Sequence, residues 1–232
     1  MRREFQALVL ALVGGTLLKL AISGDYQRYV KVGLRPYLIA AALVVLVVAG
    51  LSLFFARRSS SDHHGHAHGR FDVAWLLVLP MLTVLLIAPP ALGSFSASRS
   101  GTALASSSSA LGPLPEGDPV TLSVLEYASR AWYDHGHSLT GRHVALSGFV
   151  LPGDGGGWYL TRMVITCCAA DAQPVKVGLS GSVPAGLKAN DWIAVTGTYL
   201  ERTDKDPVNG QPIPYLTVAT STPIPAPVRQ YD

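Results

Sequence analysis

Cysteine is nearly absent from this chain: there are two, side by side at Cys167 and Cys168, and no CxxC pair. That excludes a disulfide-stapled scaffold and the paired-cysteine frameworks of zinc fingers. Charge is scarce as well, at 14% of 232 residues against 49% hydrophobic, where an ordinary soluble domain carries about 25% charged residues. A surplus of positive charge is missing where a nucleic-acid groove would need it. From residue 120 onward eight Lys and Arg face nine Asp and Glu, so Trp158, Tyr159, Trp192, Tyr199 and Tyr215 read as core and rim and not as a base-stacking platform. No nucleophile, base and orienting residue stand at a recognisable spacing, and no enzyme is expected. Long apolar runs are lacking beyond residue 93 and abundant before it.

Those runs point to a membrane. Residues 5–23, 37–55 and 73–93 each approach the length that spans a bilayer as a helix, roughly 20 residues, so three transmembrane helices are expected within a region 1–93. A cleaved leader fits the first run poorly, because the run is long and "ISGDY" is a weak cleavage site. Lys19 can carry its amine to the interface, and Pro80 kinks the third span without excluding it. Arg2, Arg3, Arg57, Arg58 and Arg70 fall on one side, and Arg28, Lys31, Arg35 and Arg99 on the other. The excess favours a cytoplasmic amino terminus, which places everything after residue 93 outside the cytoplasm.

Two segments cannot form a core of their own. The loop 56–72 carries His63, His64, His66 and His68 among Ser, Gly and Asp; imidazoles so spaced can offer themselves to a transition metal, or stand solvated with no specific role. Residues 94–119 are rich in Ser, Gly, Ala and Pro and read as a disordered linker.

The remainder, 120–232, is expected to fold as a separate domain. Val120, Val124, Leu125, Ala128 and Trp132 recur at helical spacing and predict one amphipathic helix over about 121–133. Five short runs rich in Val, Ile, Thr, Tyr and Trp follow, "GRHVALSGFVL", "WYLTRMVITC", "PVKVGLS", "DWIAVTGTYL" and "PYLTVAT". Five strands with glycines inside two of them suit a small OB-like barrel. The fold class is therefore a three-helix membrane region followed by a five-stranded OB-like barrel with one preceding helix.

Three readings fit the adjacent cysteines. They can pack as small apolar residues, oxidise to a strained vicinal disulfide, or bind a metal. On a regular strand neighbouring side chains face opposite ways, so both sulfurs reach one ion only where the strand ends. "AADAQP" follows directly, with Asp171 and Pro174 as turn formers. Cys167, Cys168 and Asp171 can thus converge from a loop as a half-site for zinc or another transition metal, with His135, His137 or His143 available as a further ligand.

The string "RMVITCCAADAQPV", with "GRHVALSGFV" before it and "NDWIAVTGTY" after it, resembles the uncharacterised YcgQ-like family of bacterial membrane proteins, and the similarity extends over nearly the whole chain. The resemblance implies a subunit acting beside a separate multi-spanning permease, with metal handling. The family's motif falls on Arg162, Cys167, Cys168, Ala170 and Asp171. Some members carry His where Cys167 stands here, which suits a metal ligand better than a disulfide partner. The chain lacks the long acidic insertion of some relatives. A free-standing, membrane-anchored metal or redox sensor is the alternative to a permease subunit.

Overall fold

The computed structural model describes residues 2–58, 79–80, 82–83, 90–104, 111–153 and 155–232. They divide into two compact units, 1–90 and 91–232.

In the first unit α1 (Arg2–Ser23) and α2 (Arg35–Arg58) pack on each other. Both are long and apolar enough to cross a membrane, with mean hydropathy 1.9 over Phe5–Ser23 and 2.9 over Val32–Phe55. Their contact uses small residues: Ala7, Ala21, Ala42 and Ala49 are buried, and a Cβ on Gly14 would press against Leu46 and the carbonyl of Ala42. Close backbone approach of this kind is how helices associate where no hydrophobic effect drives them. Leu43, Val44, Val47, Leu51, Phe54 and Phe55 of α2 face outward, as lipid-facing side chains do. The Arg35 side chain donates to the carbonyl of Ala21 at 3.1 Å and closes the end of α1. Two membrane-length helices are present among the described residues. The expected third span, 73–93, and the His-rich loop with His63, His64, His66 and His68 lie wholly or mostly outside them.

The second unit is a closed five-stranded barrel. Its strands are β2 (His143–Pro152), β3 (Trp158–Val164), β4 (Gln173–Gly181), β5 (Trp192–Lys205) and β6 (Pro212–Pro223). They run in the order β2-β3-β4-β6-β5, and β5 pairs back to β2. All pairs are antiparallel except β4 with β6. Closure needs sharp bends, and two glycines supply them. A Cβ at Gly148 would strike the carbonyl of Thr161, and one at Gly197 would strike that of Thr217, where the register of β5 on β6 shifts. The strands expected from sequence are all present. β5 and β6 run further than "DWIAVTGTYL" and "PYLTVAT", because Glu201–Lys205 and Pro212–Ile213 continue the hairpin beyond the body of the barrel.

The expected amphipathic helix is present ahead of β2 but begins later than expected. Val120–Thr121 instead forms β1, parallel to β2, and the helix runs from Val124 to Tyr133, its amino end capped by the Ser123 hydroxyl accepting from the Glu126 amide at 3.0 Å. Trp132, expected on the buried face, is 42% exposed. Tyr127 is buried in its stead and donates its hydroxyl to the Tyr215 carbonyl at 2.7 Å. This helix covers the interior cluster of Val144, Leu146, Leu160, Val177, Ile193 and Leu216.

A second apolar cluster, with Phe149, Tyr159, Met163, Trp192, Ile213 and Tyr231, is joined by Ala97 and by half-buried Leu92. Residues 91–104 therefore belong to the barrel's fold, which corrects the expectation of a disordered linker over 94–119 for this part. The composition carries too few apolar residues to order it alone. Order comes from side chains elsewhere: Leu92 N–H bonds the Tyr231 hydroxyl at 2.9 Å, Ser94 N–H bonds Asn190 at 3.0 Å, and Thr102 N–H bonds Asp206 at 2.8 Å.

Candidate metal centre

The two cysteines lie on the connection between β3 and β4, whose register closes at Val164 opposite Gln173. Ile165 is still buried, while Thr166 and Cys167 are exposed and Cys168 is half-buried. The strand thus ends before the first cysteine, and a single 3-10 turn, Ala169–Asp171, leads into β4.

Asp171 organises that turn. One carboxylate oxygen, Oδ1, accepts from the Thr166 amide at 2.8 Å; the other, Oδ2, accepts from the amides of Cys167 at 2.8 Å and Cys168 at 3.2 Å. Three successive N–H groups converge on one side chain and wrap the backbone around it. In return, the Asp171 amide donates to the Cys168 carbonyl at 3.0 Å and closes the turn. The Cys167 thiol donates to Asp171 Oδ2 at 2.9 Å.

The two titratable groups are pulled apart by this contact. The Cys167 thiol is pushed up to about 11, first because its proton is donated to Asp171 and then because it is hydrogen-bonded to Cys168. The Asp171 carboxylate is held well below the usual carboxylate range by that same thiol, and further by the amides of Thr166 and Cys167.

One ligand atom from each of Cys167, Cys168 and Asp171 lies within 4.8 Å of the others, a spacing that could hold a metal ion. The donor set fits one. Oδ1 has a single hydrogen-bond partner and so keeps an acceptor position, and the S–H donated to Oδ2 disappears when the thiol ionises. The three residues grouped from sequence do lie together here, because the turn formers after Cys168 stop the strand.

The histidines do not join them. His135, His137 and His143 are all exposed, and no histidine belongs to the cluster among the described residues. His143 instead sets Nδ1 at 3.0 Å from Asp118. Of the two remaining motif residues, Ala170 is exposed in the turn, and Arg162 is buried at the base of the loop. Arg162 donates to Asp232 at 3.0 Å and to the carbonyl of Arg229 at 3.3 Å, with its guanidinium over the Trp192 ring. Its role is to fix the segment 229–232 against β3. Nothing in the local sequence signals that partnership, because the partners lie about 70 residues away.

No curated protein and no solved structure matches the chain. The DUF1980 N-terminal domain matches residues 5–103, and the DUF1980 C-terminal domain matches residues 123–231. With both of its domains present in order, the chain belongs to the uncharacterised DUF1980 family.

Proposed function

We propose that this DUF1980 protein is a multi-pass membrane protein acting as the accessory subunit of a multi-spanning permease, with one thiophilic metal ion, zinc or a similar ion, bound at Cys167, Cys168 and Asp171 of its OB-like barrel. The observation that carries the metal reading is the convergence of three ligand atoms within 4.8 Å on an accessible loop. Two thiolates and a carboxylate suit a borderline-soft ion, and three protein ligands leave one coordination position open to water or to a ligand from a partner. Binding would release both thiol protons to solvent, that of Cys167 from its bond to Asp171 and that of Cys168, and the two sulfurs would then hold the ion together. Asp171 meanwhile keeps its amide contacts and offers the acceptor position left on Oδ1.

The membrane reading is supported by the apolar α1 and α2 with their outward-facing Leu, Val and Phe side chains. A third span over 73–93 and the basic residues of the flanks would put the barrel outside the cytoplasm. The permease partnership follows from the resemblance to the YcgQ-like proteins. Co-purification from detergent tests it: a stoichiometric multi-spanning partner supports a subunit, and a chain that always purifies alone supports an anchored sensor. For the metal, the reduced full-length chain is expected to take up about one zinc. Cys168→Ser should abolish uptake, whereas Cys167→His should retain much of it because imidazole can replace thiolate.

A further inference from the structure

The hairpin that carries the cysteine loop has two arms, and each leaves an edge that the barrel does not cover. β2 pairs with β3 only along Trp158–Thr161, so the edge of Arg162–Val164 is free of it. That edge is filled by the segment 229–232: Tyr231 bridges to Met163, Asp232 N–H bonds the Met163 carbonyl at 3.0 Å, and Arg162 holds Asp232. On the other arm β6 pairs with β4 only along Gly178–Gly181. There the strap 91–103 takes over, with Ala103 N–H on the Pro174 carbonyl at 2.8 Å and the Thr102 hydroxyl accepting from Lys176 N–H at 3.0 Å.

The same strap also reaches the segment that fills the first arm's edge, through Leu92 N–H on the Tyr231 hydroxyl. One segment therefore holds the β4 arm directly and meets the β3 arm through the segment 229–232, at the root of the loop. Its seat is built for close approach: a Cβ at Gly93 would collide with Asn190, and one at Gly101 with Asn209. Beneath Thr102 lies a buried ion pair, Lys176 Nζ to Asp206 at 2.8 Å, which also collects the Ser100 carbonyl and the Thr102 amide.

We propose that the strap 91–103 is the positioning element of the cysteine loop, so that metal binding at the loop and clamping of the strap reinforce each other. This rests on the metal reading of Cys167, Cys168 and Asp171. A site whose supporting backbone is fixed before the ion arrives loses less freedom on binding. By linkage, whatever raises the loop's affinity is in turn stabilised by the bound ion to the same extent. The strap is also the segment through which the chain leaves the membrane region. Occupancy of the loop would accordingly be felt where the two units join in sequence.

The test uses the reduced full-length chain in detergent, with cadmium as the probe. Tyr231→Phe removes the acceptor of Leu92 N–H on the segment that lines one arm, and Thr102→Val removes the acceptor of Lys176 N–H on the other arm. Cadmium affinity is read by competition with a chelator, and amide hydrogen exchange over 92–103 is read with and without cadmium. The expected result is an affinity about 5-fold lower or more in the double variant, and slower exchange of the strap amides when cadmium is bound to the parent chain. Ser123→Ala is the control: it removes a helix cap that shares no hydrogen bond with the strap or the cysteine loop, and it should lower stability without changing affinity. Should the double variant fail to fold, each single variant carries the comparison. A double variant that binds as tightly as the parent, or strap exchange indifferent to cadmium, overturns the linkage while leaving the metal reading intact. A parent chain that binds no cadmium removes both.

Discussion

Two carboxylates of the barrel, Asp206 and Asp171, do similar work in opposite surroundings. Each gathers backbone amides and one side-chain donor. Asp206 accepts from the Thr102 and Val208 amides and pairs with Lys176, and the two charged side chains are 0% and 3% exposed. Burial alone would raise its pKa; the Lys176 bond and the two amides outweigh that and hold it below the usual range. Asp171 accepts from three amides and a thiol on an accessible loop. The first cluster is complete: its charge is neutralised and water is excluded. In the second, the one donor that is not an amide is a proton that a metal can replace. Completeness marks Asp206 as an architectural group, and the replaceable proton is what makes Asp171 part of the candidate site.

Removing the cation from the buried cluster should have the largest effect on stability. Lys176→Met leaves the Asp206 charge buried without its partner, and loss of one member of such a pair costs about 3–5 kcal/mol. Urea unfolding of the full-length chain, followed by tryptophan fluorescence, should show that drop. A loss below about 1 kcal/mol would mean that the pair is no more than a surface contact.

The exposed cluster should respond to pH, not to burial. The Cys167 thiol has its pKa raised from 9.0 to about 11, so the stability its hydrogen bond gives is complete below 9.0 and is lost as pH rises through about 11. The Asp171 pKa is lowered from 3.8, so its contribution is complete above 3.8 and is lost only as pH falls through the depressed value. In a Cys168→Ser background, which keeps the larger Asp171 contribution, alkylation of Cys167 should therefore remain slow at pH 9.0 and accelerate only above it. Asp171→Asn weakens the acceptor and should move that profile down toward 9.0. An unchanged profile would show that the Asp171 contact does not hold the thiol proton.

Much of this contrast was legible in sequence on one side only. The cysteine loop was readable because its parts are contiguous: the β-branched run ends, two cysteines follow, and Asp171 and Pro174 turn the chain. The barrel strands were equally plain from their Val, Ile and Thr runs and the glycines at 148 and 197. The Asp206 cluster was not, because Lys176 and Asp206 are 30 residues apart and Thr102 lies 104 residues from Asp206. For the same reason the strap read as a linker, since its Ser, Gly and Ala residues are ordered by Asn190, Asn209, Asp206 and Tyr231. Charged residues at Glu201–Lys205 likewise hid the extension of β5, where pairing with β6 outweighs composition. Trp132 misled the helix reading, for helical spacing alone does not say which of two apolar stripes faces inward.

A smaller change sharpens the comparison at the edge of the buried cluster. Asn209 donates to the Thr102 carbonyl at 3.0 Å from a partly buried position. Asn209→Ala should lower stability by about 1 kcal/mol and leave the alkylation profile of Cys167 where it is.

The central claim is that the cysteine loop is a thiolate metal site whose protons a metal can displace. The ultraviolet thiolate-to-cadmium charge-transfer band reads sulfur coordination directly, in the reduced full-length chain. The band should saturate at about one cadmium per chain, disappear in Cys168→Ser, and weaken as pH falls and protons compete for the sulfurs. A folded, reduced chain that develops no such band in the presence of excess cadmium would contradict the account.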